Sequence, residues 1–269
     1  MKQHPEYPFL LSFEQLSKEQ NIKNYSTTRK GGVSRYPFES FNLGNYSEDD
    51  PCCIRENRER LVKALHIRYE NLIVPKQIHS DQILIIDKQY LSLNEKKRQE
   101  ASNGYDALIT QQKNISIGIT TADCVPIILY DRQKQVTAAI HAGWRGTVKE
   151  ITRKVVQNLE TLFHTNPSDI IAGIGPSISR KYFEVGNEVA KQFVAKQYFQ
   201  QPIIYENPKT KKAHIDLWEA NKQQLMHSGV PEKNIEIAQM CTYTQTETFF
   251  SARREGIKSG RMITGIILL

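Results

Sequence analysis

The middle of the chain alternates short apolar runs with polar turns. Residues 107–110, 115–120, 125–130 and 136–140 are rich in aliphatic and β-branched side chains. Runs of this length, separated by turn residues, predict neighbouring buried β-strands. The same criterion predicts further strands at residues 22–28, 72–74, 83–86, 170–174, 235–239 and 262–269.

Three segments carry helical patterns instead. Residues 147–163 place apolar side chains three and four positions apart, and Thr147 with Glu150 has the spacing of a capping box. Asp50-Pro51 is a typical helix start, because Pro is favoured in the first turn. A third helix is predicted to begin at Asp216 and to end at Gly229.

Strands and helices that mix in this way predict an α/β (α+β) fold. We expect a layered sandwich of mixed β-sheets flanked by helices, formed by residues 1–269 as a single domain. The most polar stretches, residues 94–103 and 206–212, are predicted to be surface loops because they are too short to separate domains.

Composition excludes several classes of protein. The chain is 39% hydrophobic and 24% charged, which is incompatible with a disordered chain. Its net charge of +7 suits an anionic small molecule, and we expect no nucleic-acid partner because no recognised module is present. No apolar run approaches the ~20 residues of a membrane span, so no membrane partner is expected.

The cysteines and the first residues bear on location. Four cysteines without framework spacing, and a start without an apolar leader, predict a reducing, cytoplasmic compartment. The sequence leaves open whether the protein is a monomer or a homodimer.

Two histidines and one cysteine occupy positions suited to chemistry. His79 lies in a turn between two short strands, and His141 lies between a strand and a Gly-rich turn that leads into a helix. A hairpin of residues 125–130 and 136–140 would bring Cys124 to the same end of the sheet as His141. One Cys and two His form a reasonable zinc ligand set with a fourth position for water. Zinc would lower the pKa of that water, and Asp123 could relay the proton.

The same residues permit a second chemistry. Cys124 could be a nucleophile, with His141 as its base and Asp123 as a third polar group. Spacing alone does not decide between the two.

Basic residues suggest an anion site. Arg29 opens a Gly-rich loop that could cradle a phosphate, and the same loop could simply be a tight turn. Arg253, Arg254 and Arg261 form a basic cluster next to the aromatic pair Phe249–Phe250, a combination suited to a purine and an anion.

Several motifs, taken together and in order, resemble the YfiH/YlmD family, also called laccase-domain or multicopper polyphenol oxidoreductase-like proteins, and in particular its YlmD-type bacterial members. The motifs are residues 28–34 (TRKGGVS), 41–44 (FNLG), 77–80 (QIHS), 106–110 (DALIT), 121–126 (TADCVP), 141–147 (HAGWRGT), 175–178 (GPSI), 184–186 (EVG) and 250–254 (FSARR).

The resemblance implies one zinc site, with ligands that match His79, Cys124 and His141. It implies phosphorolysis of adenosine, inosine and S-methyl-5′-thioadenosine to free base and (methylthio)ribose 1-phosphate, and deamination of adenosine to inosine. The partners are then purine nucleosides and phosphate. Candidate substrate or phosphate ligands are Arg29, Asn42, Arg145 and Arg254, with Asp123 and Cys124 as candidate catalytic residues.

Two alternatives accompany this interpretation. One is copper-dependent polyphenol oxidation, which is weakened because no His-x-His pair is present. The other is a hydrolase that uses Cys124. One departure from the family pattern is Phe183, where the family often has Tyr, so no phenol is assigned a role at that position.

Overall fold

The computed structural model describes residues 1–196, 199 and 202–269. The strands are β1 (Lys2–Gln3), β2 (Leu10–Ser12), β3 (Ile22–Thr27), β4 (Leu72–Ile73), β5 (Ile83–Ile85), β6 (Ala107–Thr110), β7 (Ser116–Thr121), β8 (Val125–Asp131), β9 (Val136–Ala142), β10 (Ile170–Ile174), β11 (Glu184–Val185), β12 (Ile204–Glu206), β13 (Ala213–Ile215), β14 (Ile235–Ile237) and β15 (Met262–Leu268). The helices are α1 (Pro51–Leu65), α2 (Lys88–Ser92), α3 (Glu95–Ala101), α4 (Trp144–Val148), α5 (Ile151–Phe163), α6 (Asn187–Val194), α7 (Leu217–His227) and α8 (Ala252–Glu255).

The strands form two large sheets and one small sheet. The first sheet has the order β1-β2-β3-β15-β7-β4, the second has the order β14-β10-β8-β9-β6-β5, and the small one is β11-β13-β12. Neighbours in the large sheets are antiparallel except β4 with β7, β5 with β6 and β10 with β14, which are parallel. The predicted mixed sheets are therefore confirmed.

The apolar pattern of the strands explains the layers. Successive side chains of a strand point to opposite faces, so β6 sends Leu108 toward the first sheet and Ile109 toward the helices. One cluster lies between the two large sheets, a second joins the second sheet to α5 and α7, and a third joins the first sheet to α1. Each fully buried aliphatic side chain contributes about 1.5–3 kcal/mol. The layered sandwich is thus confirmed, with helices on both outer faces.

Two predicted helix boundaries are confirmed in detail. The Asp50 carboxylate accepts a hydrogen bond of 2.8 Å from the Cys52 N–H at the start of α1. Asp216 caps α7 in the same way, and Gly229 beyond its end has φ +88°, a conformation that favours glycine.

The prediction of one helix over residues 147–163 is wrong. The chain forms α4, turns at Glu150, and resumes as α5. Glu150 has φ +64°, which no helix interior accommodates, and its carboxylate binds Arg153 at 2.9 Å and Lys196 at 3.0 Å. Thr147 therefore lies inside α4 instead of capping a helix.

The polar stretch at residues 94–103 is also not a loop. It contains α3, whose first turn is capped by the Asn94 side chain, which accepts from the Lys97 N–H at 3.0 Å. Strong helix formers without an apolar stripe make an exposed helix that hydrophobic periodicity does not detect. The second polar stretch, residues 206–212, does form the predicted turn between β12 and β13. In the part of the chain described, no helix is long and apolar enough to cross a bilayer.

Candidate metal centre

The predicted hairpin brings the candidate ligands together. β8 pairs with β9 so that Pro126 lies opposite His141, which places Cys124, just before β8, beside that histidine. His79 arrives from the turn that follows β4, where it has φ +61°. Three distant parts of the sequence thus meet at one end of the second sheet.

The three donor atoms of His79, Cys124 and His141 all lie within 4.8 Å of one another. The Cys124 Sγ is 3.8 Å from the His79 Nε2, and the two imidazole rings meet edge to face with centroids 4.8 Å apart. A tetrahedral zinc ion holds such donors roughly 3.3–3.6 Å apart. Small side-chain movements would bring the trio to that spacing, so the residues present fit a zinc ion.

Asp106 organises this cluster and was not among the predicted site residues. Its buried carboxylate accepts a hydrogen bond of 2.6 Å from the His141 Nδ1. The same carboxylate accepts from the backbone N–H groups of the turn at Ile78, His79 and Ser80, at 2.7–3.2 Å. One carboxylate therefore fixes the ring of one ligand and the backbone of another, the usual arrangement around a metal-binding histidine. A buried Asp at the start of an apolar strand that pairs with the strand of His141 is the signal that could have identified it.

The turn of His79 is also fixed from the first sheet. The Gln77 side chain accepts from the Thr120 N–H at 2.7 Å and donates to the Thr120 carbonyl at 2.9 Å. Because Thr120 lies on β7, both large sheets hold the turn in place.

Charge separation within the cluster favours metal binding. Burial would raise the pKa of Cys124, but the neighbouring His141 outweighs it and lowers that pKa to about 6. Burial likewise opposes the charged form of His141, yet Cys124 and Asp106 raise its pKa to about 9. The thiol is therefore a thiolate near neutral pH, which is the form that binds metals.

Gly143 leaves room for the cluster. A Cβ at this position would lie 3.0 Å from the Cys124 Sγ and 3.1 Å from a carbon of the His79 ring. Any larger residue would press on two of the three candidate ligands, so the close approach explains glycine here.

The cluster opens into a cavity of about 450 Å³. Its three candidate ligands differ in exposure: His79 is exposed, Cys124 is partly buried and His141 is buried. The lining also includes Tyr46, Glu48, Arg58, Gln77, Ile257 and Arg261. A small organic molecule that enters this cavity would reach all three candidate ligands, because they line it.

Asp123 lies next to Cys124 but is bound elsewhere. Its carboxylate accepts from the Thr242 hydroxyl at 2.6 Å, the Ser251 hydroxyl at 3.0 Å and the Arg253 N–H at 2.7 Å. The residue is buried and has φ +93°. Its Oδ1 holds Thr242 and its Oδ2 holds the start of α8, so both oxygens are engaged within the protein.

Arg29 and Arg254 share one carboxylate. The Glu255 Oε1 lies 2.6 Å from Arg29 and 2.9 Å from Arg254. Arg254 also donates to the carbonyls of Thr242 and Tyr243, and Arg29 stacks on Phe250 at 4.6 Å. Their donors are engaged within the protein, and neither side chain lines the cavity.

Two further predicted ligands lie outside the cavity lining. The Asn42 side chain is buried and hydrogen-bonded to Gly44, Ser47, Asp49 and Arg261. Arg145 is exposed and stacks on Trp144 at 4.3 Å. The geometry therefore brings only the His-Cys-His part of the predicted site together.

The position that departs from the family pattern belongs to the core. Phe183 is buried in the cluster between the second sheet and the helices. The neighbouring Tyr182 stacks on Tyr243 at 4.8 Å.

Comparisons with known proteins agree with this architecture. The family described as multi-copper polyphenol oxidoreductase laccase matches residues 23–269. A purine nucleoside phosphorylase of Bacteroides thetaiotaomicron is 44% identical to this chain, in an alignment that covers 96% of this chain and 96% of its own. The adenosine deaminase RL5 of an unknown prokaryotic organism is 40% identical, over 92% of this chain and 94% of its own.

Solved structures show the same fold. The YlmD protein of Geobacillus stearothermophilus superposes with a TM-score of 0.90 at 29% identity, over 99% of this chain and 98% of its own. A hypothetical protein YfiH of Bacillus licheniformis also reaches 0.90, at 28% identity over the same shares.

Proposed function

Because the chain belongs to the multi-copper polyphenol oxidoreductase laccase family, we propose that its His-Cys-His cluster makes it a zinc-dependent purine nucleoside enzyme. The reactions are phosphorolysis of adenosine, inosine and S-methyl-5′-thioadenosine to free base and (methylthio)ribose 1-phosphate, and deamination of adenosine to inosine. The relatives at 44% and 40% identity, one a phosphorylase and one a deaminase, support this substrate class. The observation that carries the proposal is the cluster of His79, Cys124 and His141 at the wall of a cavity.

The donor set favours zinc. A thiolate and two imidazoles suit Zn²⁺, and a zinc ion with three protein ligands supplies Lewis acidity and an activated water at its fourth position. His79, Cys124 and His141 would hold it, and Asp106 would keep the His141 Nδ1 occupied so that its Nε2 faces the metal.

The described residues suit a multicopper site of the laccase type less well than they suit a zinc site. Multicopper centres need several groups of histidines. Across residues 1–196, 199 and 202–269, the structure contains one group of three potential ligands. We therefore propose that the family description does not extend to a multicopper reaction in this chain.

The two reactions make different demands on the protein. In phosphorolysis a phosphate oxygen bonds to C1′ of the ribose, while the bond from C1′ to the base nitrogen breaks and the base takes up a proton. Deamination adds water at C6 of adenine and releases ammonia. Both need a cavity that orients the nucleoside, and phosphorolysis also needs cations that hold phosphate.

We propose that Asp123 serves these reactions indirectly. Its three hydrogen bonds tie the residue before Cys124 to Thr242 and to the start of α8. This tie fixes the position of the thiolate relative to the cavity.

The partners follow from the activity: purine nucleosides and phosphate. All four cysteines are free, which suits a reducing compartment and a thiolate ligand at Cys124. We propose a cytoplasmic location on that basis.

A product assay combined with metal analysis tests the proposal. Wild-type protein given adenosine and phosphate is expected to release adenine, ribose 1-phosphate and inosine. Cys124→Ala is expected to lose bound zinc and both activities together. Cys52→Ala is the matched control, because Cys52 is exposed at the start of α1 and outside the cavity.

The cysteine-nucleophile alternative gives a different result. It predicts an active, metal-free protein in which an alkylating substrate analogue labels Cys124. Full activity without zinc would overturn the zinc proposal.

A further inference from the structure

Two arginines line the cavity without an acidic partner. Arg58 on α1 is 5% exposed, and its Nε and Nη2 donate to the Leu43 carbonyl at 3.0 and 2.8 Å. Arg261, just before β15, donates from its Nη1 to the carbonyls of Ser259 and Gly260 and to the Ser259 hydroxyl. Among the residues described, no carboxylate oxygen lies within 4.0 Å of a nitrogen of either guanidinium.

One short segment positions both arginines. The Leu43 carbonyl accepts from Arg58, while the Leu43 N–H donates to the Arg261 carbonyl at 3.0 Å. The Asn42 Oδ1 accepts from the Arg261 N–H at 2.9 Å and from the Gly44 N–H at 3.1 Å. Residues 42–44 therefore hold the Arg58 guanidinium and the Arg261 backbone in one place, with Asn42 as a positioning residue.

The two arginines of this wall have no direct ionic partner among the described residues. Arg58 is buried and is hydrogen-bonded to the Leu43 carbonyl and to the Tyr69 side chain, neither of which is a carboxylate, and a buried cation without a counter-charge is costly. Burial lowers the pKa of Arg261, and the negative charges of Cys124, Asp123 and Glu255 act in the opposite direction without contacting it directly. Arg261 thus lies close enough to the candidate metal cluster to feel its charge.

We propose that Arg58 and Arg261 form a subsite that binds inorganic phosphate beside the metal cluster. The inference deepens the proposed function, on which it rests, by naming the cations that hold the attacking phosphate. A guanidinium is planar and always charged, which suits an oxyanion. The alternative cations Arg29 and Arg254 share the carboxylate of Glu255 and lie outside the cavity lining.

Substitution of Arg261 tests the subsite through kinetics. In Arg261→Gln the KM for phosphate is expected to rise about ten- to hundredfold, as for the loss of charge-assisted hydrogen bonds. The KM for adenosine and the rate of its deamination, which uses no phosphate, are expected to stay within about threefold. A merely structural role would instead affect both reactions.

Arg58 needs two variants because its side chain is buried. Arg58→Lys keeps the charge and is expected to weaken phosphate binding less than Arg58→Gln. Arg55→Gln is the matched control: Arg55 lies about one helical turn earlier on α1, is exposed, lies outside the cavity lining, and forms an ion pair with Glu59 at 3.0 Å. It is expected to behave as wild type.

Direct binding separates this inference from the proposed function. Equilibrium dialysis of the wild type and of Arg261→Gln against radiolabelled inorganic phosphate is expected to show binding that the variant loses. If nucleoside cleavage proceeds with an unchanged KM for phosphate in the Arg58→Gln and Arg261→Gln variants, the subsite is wrong and the function stands. If phosphate binds through these arginines but no nucleoside is cleaved, the subsite stands and the function is wrong. If the wild type neither binds phosphate nor cleaves nucleosides, both are wrong.

Discussion

At the scale of single residues, the carboxylate of Asp106 holds two of the three candidate ligands in position. It accepts from His141, from three consecutive backbone N–H groups and from the Ser80 hydroxyl. Burial would raise the pKa of Asp106, but its bonds to His141 and Ser80 outweigh this and lower it. The residue therefore couples local folding of the turn to the orientation of a metal ligand.

Asp106→Asn tests this coupling. The amide replaces one acceptor oxygen with a donor, which must then face N–H groups already pointing at it. We expect zinc affinity to fall about ten- to hundredfold, and the free energy of unfolding to fall by about 1–3 kcal/mol. Chelator competition and thermal unfolding measure the two effects.

Asp87→Asn is the matched control, since Asp87 only caps α2 through the Tyr90 N–H at 2.7 Å and Asn caps helices equally well. Equal zinc affinity in wild type and Asp106→Asn would contradict the assigned role.

Zinc binding is also expected to depend on pH. In the metal-free protein the pKa of His141 is raised to about 9, so this imidazole carries a proton at neutral pH that the metal must displace. Apparent affinity should therefore rise about tenfold or more per pH unit up to pH 9. It should fall more steeply below pH 6, because there the Cys124 thiolate takes up a proton as well.

Calorimetric titration in buffers of different ionisation enthalpy measures the protons released. At least one proton per zinc is expected at pH 7.5. Binding without proton release, and with an affinity independent of pH, would show that Cys124 and His141 are both already deprotonated before the metal binds, and would contradict the raised pKa of His141.

The residue scale also shows what the sequence could and could not predict. Cys124 and His141 come together because the register of an apolar hairpin follows from its pattern. His79 joins them through the hydrogen bond of its backbone N–H to Asp106, which the local pattern does not predict. The Asp50-Pro51 start predicts α1 but gives Arg58 no role. The spacing of Arg58 from Ile54 and Leu61 places it on the buried face, and a charged residue there was the available signal. Arg29 forms an ion pair with Glu255, which lies 226 residues further along the chain. No local sequence pattern predicts such a pair, so the sequence could not show whether Arg29 is free to bind phosphate.

At the scale of elements, the break between α4 and α5 supports the site. Gly143, directly after β9 and beside the cluster, is the N-cap residue of α4. α7 packs against α4. The buried Asn221 of α7 donates to the Thr147 hydroxyl at 3.1 Å and accepts from the Thr152 hydroxyl at 2.8 Å. One amide thus joins three helices, a contact that the expected single helix over residues 147–163 could not have included.

Asn221→Ala should weaken this junction. Two buried hydroxyls lose a partner, so we expect the free energy of unfolding to fall by about 2–4 kcal/mol in a denaturant titration. Asn158→Ala on α5 is the control, because its side chain binds only the Lys154 carbonyl of its own helix. A loss no larger than that of the control would show that the junction contributes little.

At the scale of the whole molecule, the fold class could be predicted because strand runs and helix caps are local signals. The order of strands in the two large sheets could not, since it depends on pairings such as β3 with β15 across most of the chain. The prediction that residues 1–269 form a single domain stays a prediction. Part of the net charge of +7 lies in the cavity, on Arg58 and Arg261.

The central claim is that one zinc ion, held by His79, Cys124 and His141, supports purine nucleoside chemistry. Its most direct test is a titration of metal-free protein with zinc, in which phosphate-dependent cleavage of adenosine is measured per chain. Activity is predicted to rise linearly and to stop at one zinc per chain, and Cys124→Ala is predicted to stay inactive throughout. Full activity before zinc is added, or cleavage that never appears while copper supports oxidation of phenols, would contradict the account.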